Sequence, residues 1–355
     1  MTKTKPKINP RLRQIAIIGA GMAGVACART LAQAGHRVTL FEQGAEIGGR
    51  MATRSSSFGT FDPGVQYFTV RDPRFAKALQ IVPNLCKPWS ANTVRVLDEH
   101  GRVAAAGRPA KDYHWVPTPG MNALVSRWAL PLMSQHSVEL DTRVVHLDRD
   151  AINPQHWQLR TQGPEGAQHV FSGFDAVLLA MPAEPARLLL HTAQKADKLA
   201  RQLDMVKMAP CWSLMLAFPH AVQPGLTTLG PQWNAARSTH HRIAWLARES
   251  SKPGRGAIER WTVQASAAWS QEHLEDDPAR VQSKLIKAFS EVTGIRATPS
   301  YVQTQRWRFA QTTQPLGKSH LWDGNTGLGV CGDWCLGNRV ENAFISGLEL
   351  ALAII

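Results

Sequence analysis

The sequence predicts an α/β fold in which a doubly wound, Rossmann-type domain is interrupted by a smaller α+β domain. Three observations lead to this prediction. A Gly-x-Gly-x-x-Gly pattern follows a short apolar strand and opens an Ala-rich helix, an acidic residue ends the next strand, and the chain closes with a strand, a Gly-Asp pair and a helix. A chain of 355 residues is long enough for two domains and a sizeable core.

The glycines after the first strand fit a dinucleotide site. Gly19 permits the tight turn out of the strand, Gly21 lets the backbone approach a pyrophosphate, and Gly24 lets the helix lie close to the sheet. The backbone amides at the start of this helix, at Met22 and Ala23, are available to the anion. An ordinary strand, turn and helix is the alternative interpretation.

The second strand, at residues 37–41, is followed by Glu42. The Glu42 carboxylate can accept hydrogen bonds from both hydroxyls of an adenosine ribose, and it would repel a 2′-phosphate. A second glycine pair then leads through Gly49 to Arg50 and Met51. This segment indicates FAD rather than NAD, because an NAD dehydrogenase usually continues straight into its next strand. A surface Gly-Gly turn with a solvated arginine is the alternative.

The chain organisation predicts two domains. Residues 174–182 are nearly all apolar and stop at a proline, as a buried parallel strand requires. Strand candidates on both sides of a helical pattern at 278–293 predict an antiparallel sheet with a helical cover. The FAD-binding domain is predicted to comprise 14–69, 120–182 and 314–355, and the substrate domain 70–119 and 183–313. Other predicted elements are a helix at 120–134 and strands at 137–140, 143–147, 157–161, 175–180, 211–218, 242–247 and 259–265.

The last strand pattern ends in Gly332 and Asp333, and a helix opens at Asn342 and Ala343. The Asp333 carboxylate can hold a ribityl hydroxyl of FAD. The amide end of the following helix can stabilise negative charge at the N1–C2=O edge of the flavin. A strand, loop and helix with a capping aspartate is the alternative.

Composition narrows the functional class. The net charge of +13 comes from Lys and Arg residues that are scattered along the chain, which argues against a nucleic-acid-binding surface. Two interpretations remain: a solvated basic surface, or a positive electrostatic field around a phosphorylated ligand. Five cysteines without framework spacing favour a reduced, cytoplasmic setting, and we expect no metal site. Residues 1–13 predict a flexible basic tail rather than a signal peptide or anchor, and no apolar run predicts a membrane span.

Four segments together resemble bacterial renalase-like flavoproteins of the flavin-containing amine oxidase superfamily. They are residues 48–54, 61–69, 305–310 and 332–341. The resemblance extends from about residue 14 to 354 and implies that the backbone of Val144 pairs with adenine. It also implies noncovalent FAD, because the Gly-Gly-Cys context of covalent relatives is missing and Cys331 is the only cysteine between residues 306 and 332.

This resemblance implies an oxidase that transfers a hydride from the 2- and 6-dihydro isomers of NAD(P) to flavin N5, with O2 forming hydrogen peroxide. The sequence shows no catalytic dyad, as hydride transfer permits, and we assign no acid or base. Aromatic faces can stack on a nicotinamide ring. For two of the candidates, Trp307 and Phe309, an equal alternative is that they are core residues on the buried face of a strand. The candidate pocket residues are Gln66, Tyr67, Trp307, Phe309 and Trp334.

The sequence also offers two arginines that could bind a pyrophosphate, and it is compatible with three alternative functions. Arg308 or Arg339 can meet a pyrophosphate, although a solvated outward face is the favoured interpretation of Arg308. An amine oxidase, a carotenoid-type desaturase and a non-catalytic FAD-binding module are the alternative functions. The sequence does not determine whether the substrate carries the additional phosphate of NADP, which electron acceptor is physiological, or what the oligomeric state is.

Overall fold

The computed structural model describes residues 12–91, 94–105, 112–220 and 230–355. Apart from Leu12 and Arg13, the predicted basic tail lies outside the described residues. No described helix combines the length and apolar character needed to cross a bilayer. The helices are α1 (Met22–Gln33), α2 (Pro73–Leu79), α3 (Ala123–Ser134), α4 (Ala183–Leu190), α5 (Asp197–Gln202), α6 (Ala267–Glu272), α7 (Pro278–Thr293) and α8 (Val340–Ile354).

The strands form two sheets of six and seven strands, one of three strands and two short pairs. They are β1 (Gln14–Ile18), β2 (Arg37–Phe41), β3 (Arg54–Ser56), β4 (Gly59–Phe61), β5 (Cys86–Pro88), β6 (Arg95–Leu97), β7 (Val103–Ala105), β8 (Trp115–Pro117), β9 (Val138–Glu139), β10 (Arg143–Arg149), β11 (Trp157–Gln162), β12 (Gln168–Phe174), β13 (Ala176–Leu179), β14 (Lys207–Phe218), β15 (Ala235–Ser238), β16 (Ile243–Arg248), β17 (Glu259–Ala265), β18 (Tyr301–Gln314), β19 (Leu321–Asp323) and β20 (Leu328–Val330).

The six-stranded sheet has the order β19-β20-β13-β1-β2-β9 and is parallel except for β19. Alternate side chains of β1 pack into two cores. Ile15 and Ile17 join α1, α3 and α8, whereas Ala16 and Ile18 join the three-stranded β10-β11-β12 sheet and α4. A sheet buried on both faces needs nearly continuous apolar strands. The predicted Rossmann-type α/β architecture is confirmed.

Because β1, β2, β13 and β20 run parallel, the segments that follow them emerge at one edge of the sheet. This edge carries the Gly-rich turn, Glu42 and the Gly332–Asp333 pair. The sequence motifs from both ends of the chain therefore meet in space.

The seven-stranded sheet has the order β18-β14-β17-β16-β15-β6-β7, and its first five strands are antiparallel, as predicted. One face forms a core with α7, which occupies the predicted range. The Asp277 side chain accepts hydrogen bonds from the first amides of α7, and Gly294 ends the helix with φ +74°. The other face of this sheet is turned toward the residues that the sequence predicts to bind FAD, as the contacts below show.

Several strands differ from the prediction. β14 begins at Lys207 rather than at Cys211, β9 is limited to two residues, and β12 was not predicted. β18 runs over 14 residues that are rich in Gln, Thr and Arg, so it shows little apolar alternation. Hydrogen bonding to β14 along nearly its whole length defines β18 instead.

Candidate functional site

The end of β1 and the start of α1 form a cradle of bare backbone. Gly19 has φ +107°, and a Cβ at Gly24 would lie 1.8 Å from the Gly19 carbonyl oxygen, so the two positions require glycine. Gly21 begins α1 without a side-chain cap, and the first turn has no acidic residue. The amides of Met22 and Ala23 thus lie at an uncapped helix N-terminus, which suits a pyrophosphate.

The second glycine segment packs against the first. A Cβ at Gly49, which has φ +55°, would lie 3.1 Å from the Cα of Gly21. The Gly48 amide donates to the Ala20 carbonyl at 3.0 Å, and the Met51 side chain is buried. These contacts keep two backbone segments close together, with no Cβ between them.

Arg50 and Asp333, which are 283 residues apart, form a two-point ion pair. Arg50 Nη1 donates to Asp333 Oδ2 at 3.0 Å, and Nη2 donates to Oδ1. Nη1 also donates to the Ala310 carbonyl oxygen at 3.2 Å. The structure therefore joins the arginine of the segment that indicated FAD to the predicted ribityl-binding carboxylate. It also ties both of them to β18.

Glu42 lies beside the Gly-rich turn, where its side chain binds backbone amides. Oε2 accepts from the Ala20 amide at 2.9 Å and Oε1 from the Gly44 amide at 3.0 Å. The Thr142 amide donates to the Glu42 backbone carbonyl at 2.8 Å, so β10, with its buried residue Val144, begins beside the Glu42 backbone. The residues predicted for the adenosine half of FAD are thus neighbours.

The C-terminal helix packs directly on the cradle. A Cβ at Gly347 would lie 2.1 Å from the Ala23 carbonyl oxygen, so α8 and α1 are in backbone contact. The Gly332 amide donates to Ser346 Oγ at 2.9 Å. The helix begins at Val340, so Asn342 and Ala343 lie in its first turn. The Ala343 amide donates to the Arg339 carbonyl at 3.1 Å, whereas Asn342 belongs to the first amides, which have no acceptor within the helix. Asn342 Nδ2 donates to the Gly337 carbonyl at 3.0 Å.

A turn at residues 63–66 lies against Arg50. A Cβ at Gly64 would lie 2.1 Å from the Arg50 carbonyl oxygen, and the Val65 amide donates to the same oxygen at 2.9 Å. This turn therefore packs directly on the second glycine segment. Any displacement of the turn would move Arg50 as well.

Three neighbouring strands of the seven-stranded sheet hold this turn by its carbonyl groups. Pro63 O accepts from Ser213 Oγ at 2.7 Å and from Trp307 Nε1 at 3.2 Å. Gly64 O accepts from Gln264 Nε2 at 2.6 Å. The donors lie on β14, β18 and β17. The sheet face that carries them is consequently the one that faces the cofactor residues.

Two of the pocket predictions need correction. Gln66 is 6% exposed, and its amide group is used internally, with Nε2 donating to the Asp62 and Gly64 carbonyls and Oε1 accepting from Lys252 Nζ at 3.3 Å. The Trp334 side chain is 0% exposed and packs in a core, where its Nε1 donates to the Met181 carbonyl at 2.9 Å. Neither side chain is free to line a pocket, because burial and hydrogen bonding already occupy both.

The other three pocket residues lie on open or half-open surfaces. Trp307 and Phe309 are half-buried and point to one face of β18, while Arg308 points outward and donates to Glu275 Oε2 at 2.8 Å, as the favoured interpretation expects. Phe309 lines a cavity of about 420 Å³ next to α4. Tyr67 is half-buried, and its ring stacks on His114 at a centroid distance of 3.8 Å.

Sequence reasoning missed a buried charge cluster beneath the turn. Lys252 Nζ lies 3.0 Å from Asp62 Oδ2 and 2.9 Å from Glu249 Oε2, and Arg255 Nη2 lies 2.7 Å from Asp62 Oδ2. All four side chains are 0% exposed. Burial acts to raise the pKa of Asp62, but the Lys252 and Arg255 charges hold that pKa below its usual range. Residues 249–255 contain one acid, two bases, two serines, a proline and a glycine, a composition typical of an exposed loop, so the sequence carries no signal for this cluster.

Comparison with known proteins agrees with this geometry. The family profile described as flavin containing amine oxidoreductase matches residues 94–355, and the profile of an NAD(P)-binding Rossmann-like domain matches residues 17–81. Curated relatives match only locally. A 4,4′-diapophytoene desaturase of Staphylococcus haemolyticus (strain JCSC1435) is 45% identical over 58 residues, which is 16% of this chain and 12% of that protein. The chain thus spans about an eighth of that relative's length.

Solved structures share the fold over nearly the full length. A putative protoporphyrinogen oxidase from Exiguobacterium sp. 255-15 has a TM-score of 0.76 and 13% identity, over 96% of this chain and 98% of that one. Cyclohexylamine oxidase from Brevibacterium oxydans IH-35A has a TM-score of 0.71 and 13% identity, over the same shares.

The residues fit FAD on structural grounds. The uncapped start of α1 suits a pyrophosphate, and the facing glycines leave room for the backbone to approach it. Glu42 and Asp333 lie at the ends of two parallel strands, where a ribose and a ribityl chain require carboxylates. The protein therefore belongs to the flavin-containing amine oxidoreductase family and is an FAD-dependent oxidoreductase.

Proposed function

We propose that the protein oxidises dihydronicotinamide dinucleotides, the 2- and 6-dihydro isomers of NAD(P), by hydride transfer to flavin N5, with O2 as the final acceptor. The observation that supports this proposal is that the acidic side chains behind the turn at 63–66 are buried and paired with cations. The Asp62 and Glu249 side chains are 0% exposed, and Lys252 lies within 3.0 Å of both carboxylates. These carboxylates neither remove a substrate proton nor pair with a substrate ammonium group.

The chemistry suits a site without a base. A dihydropyridine that loses a hydride becomes an aromatic pyridinium, so its oxidation needs no protein group to remove a proton. Bound FAD supplies the two-electron acceptor. Overall, one dihydronicotinamide, one proton and one O2 give one nicotinamide cation and one hydrogen peroxide.

The protein's part in this reaction is placement. The half-buried faces of Trp307 and Phe309 offer a stacking surface for a planar ring. The turn at 63–66, held by Ser213 and Gln264, limits how far that ring can shift relative to Arg50. A misplacement of the reacting atoms by about 1 Å costs on the order of a hundredfold in rate. A rigid aromatic surface that holds the nicotinamide ring in position therefore accelerates hydride transfer.

An amine oxidase is the second candidate. It is favoured by the family itself and by the fold shared with cyclohexylamine oxidase and with a redesigned putrescine oxidase, whose TM-score is 0.68 at 12% identity. The desaturase likeness is confined to 58 residues, 12% of that relative, so it gives no support for a desaturase substrate. Family membership makes the protein an enzyme, which removes the non-catalytic FAD-binding module.

Anaerobic stopped-flow mixing tests the proposal. We expect 2- or 6-dihydroNAD(P) to bleach the flavin absorbance rapidly, ordinary 4-dihydro NADH to do so slowly, and amines not at all. The amines to test are benzylamine, cyclohexylamine and putrescine. Free FAD under the same conditions provides the background rate. Faster bleaching by any of these amines than by either dihydronicotinamide isomer would replace this proposal with the amine oxidase.

A further inference from the structure

We propose that Arg237, Trp245 and Tyr67 form a subsite for the phosphate-bearing half of the substrate, apart from the place where its nicotinamide meets the flavin. The inference rests on the proposed function. It assigns the ligand chemistry of a nucleotide to a group of residues two strands away from the turn at 63–66.

The first observation is a row of side chains across the sheet. Gln264 on β17 pairs with Trp245 on β16, and Trp245 pairs with Arg237 on β15. Directly paired residues of neighbouring strands share a face, so all three side chains lie on the face whose Gln264 holds the Gly64 carbonyl. With a strand spacing of about 4.8 Å, Arg237 lies roughly 10 Å along the sheet from Gln264.

The second observation is an aromatic cluster at the middle of this row. The Tyr67 ring lies 5.8 Å from the Trp245 ring at 40°, and 3.8 Å from the His114 ring at 24°. Tyr67 and Trp245 are half-buried, so parts of their rings remain exposed. Three rings pack around Tyr67 and fix its orientation, since Trp89 also lies 6.5 Å from it. A planar base could stack here at little cost in side-chain entropy.

The third observation is a pair of unused donors. Trp245 Nε1 is buried and has no hydrogen-bond partner in the part of the chain that the structure describes. A buried indole N–H without a partner is rare, because it costs free energy unless a ligand or water accepts from it. The Arg237 guanidinium is exposed and has no hydrogen-bond or ion-pair partner among residues 12–91, 94–105, 112–220 and 230–355.

The local charge is positive. Burial lowers the pKa of His114, and the Arg237 charge acts in the same direction, so the His114 ring is neutral at pH 7. The Asp112 carboxylate, which also acts on His114, is paired with Arg71 Nη2 at 2.6 Å. A cation, an N–H donor and stacked rings together suit an anionic aromatic ligand, whereas the Arg237 charge would repel an ammonium group.

Arg237→Gln tests the subsite, with Arg95→Gln as the matched control. Arg95 pairs with Ala236 in the register of β6 and β15, so it lies on the opposite face of the same two strands. Binding of ADP-ribose, which needs no turnover, is measured by calorimetry. We expect Arg237→Gln to weaken it about tenfold or more, and Arg95→Gln to leave it unchanged.

Substrate kinetics separate binding from chemistry. Arg237→Gln should raise the Kd of 6-dihydroNAD, taken from the concentration dependence of flavin bleaching, and leave the limiting reduction rate unchanged. Reduction by 6-dihydronicotinamide riboside, which has no phosphate, should be the same in wild type and variant. Arg237→Lys should recover part of the affinity. Trp245→Phe keeps a ring but removes the N–H, and should also weaken ADP-ribose binding.

Failure of the subsite and failure of the proposed function give different results. Equal ADP-ribose affinities for wild type, Arg237→Gln and Arg95→Gln would overturn the subsite, even if 6-dihydroNAD bleaches the flavin. If ADP-ribose binding depends on Arg237 but no dihydronicotinamide isomer reduces the flavin, the subsite stands and the proposed reaction is wrong.

Discussion

Glu42 shows how one carboxylate serves both the fold and the cofactor. Its oxygens accept from the Ala20 and Gly44 amides, which fixes the side chain beside the Gly-rich turn, at the end of β2. We expect Glu42→Ala to weaken FAD on the order of tenfold or more, because it removes charge-assisted hydrogen bonds to the ribose as well as this anchoring. The measurement is titration of the apoprotein with FAD, followed by quenching of flavin fluorescence.

Glu46→Ala is the control for this prediction. Its side chain is 62% exposed and lies 3.9 Å from Arg54, so its removal changes the same charge without touching the cradle. Equal FAD affinities in the Glu42→Ala and Glu46→Ala variants would mean that the ribose is held elsewhere.

At the level of elements, the charge cluster joins β4, the start of α3 and the segment between β16 and β17. The Asp62 carboxylate accepts from Thr53 Oγ1 and from the Met121 amide, both at 2.9 Å, in addition to its two cations. Lys252→Met removes the ion-pair partner of the buried Glu249, whereas the buried Asp62 keeps Arg255. We expect this variant to lose about 3–5 kcal/mol of unfolding free energy, measured by urea denaturation followed by tryptophan fluorescence.

Two further variants make this prediction specific. Lys252→Met combined with Glu249→Gln removes one charge of each sign, so we expect it to be clearly more stable than Lys252→Met alone. Lys284→Met breaks a pair with Asp276 that is 3.3 Å long and partly exposed, and should cost at most about 1 kcal/mol. A Lys252→Met variant no less stable than Lys284→Met would show that the cluster does not stabilise these elements.

At the level of the whole molecule, both ends of the chain meet at the cofactor site, and we expect FAD to be held there without a covalent bond. Burial raises the pKa of Cys86 and Cys211 to about 12, so neither supplies a thiolate at neutral pH. Cys331 is 0% exposed, in contact with Cys27. Acid precipitation should therefore leave the yellow colour in the supernatant, and flavin that stays with the precipitated protein would contradict this expectation.

Local sequence patterns predicted the elements that are determined by residues close together in the sequence. The range of α7 follows from its apolar spacing, with a capping aspartate at one end and a left-handed Gly294 at the other. The Gly-rich turn, Glu42 and the Gly332–Asp333 pair were likewise predictable, because a tight turn and a helix N-terminus impose residue types over a few positions. These motifs also indicated FAD.

Only the tertiary structure decided which polar residues face a ligand and which face each other. Gln66 and Trp334 looked like pocket residues but are buried, with their polar atoms bonded inside the protein. Lys252 and Arg255 were not singled out in the sequence, but they neutralise Asp62 across about 190 residues. Arg237 and Trp245 share a face only because β15 and β16 pair in one register. Partners so far apart in sequence leave no local pattern, since the packing of separate elements alone determines whether a charge is paired, buried or free.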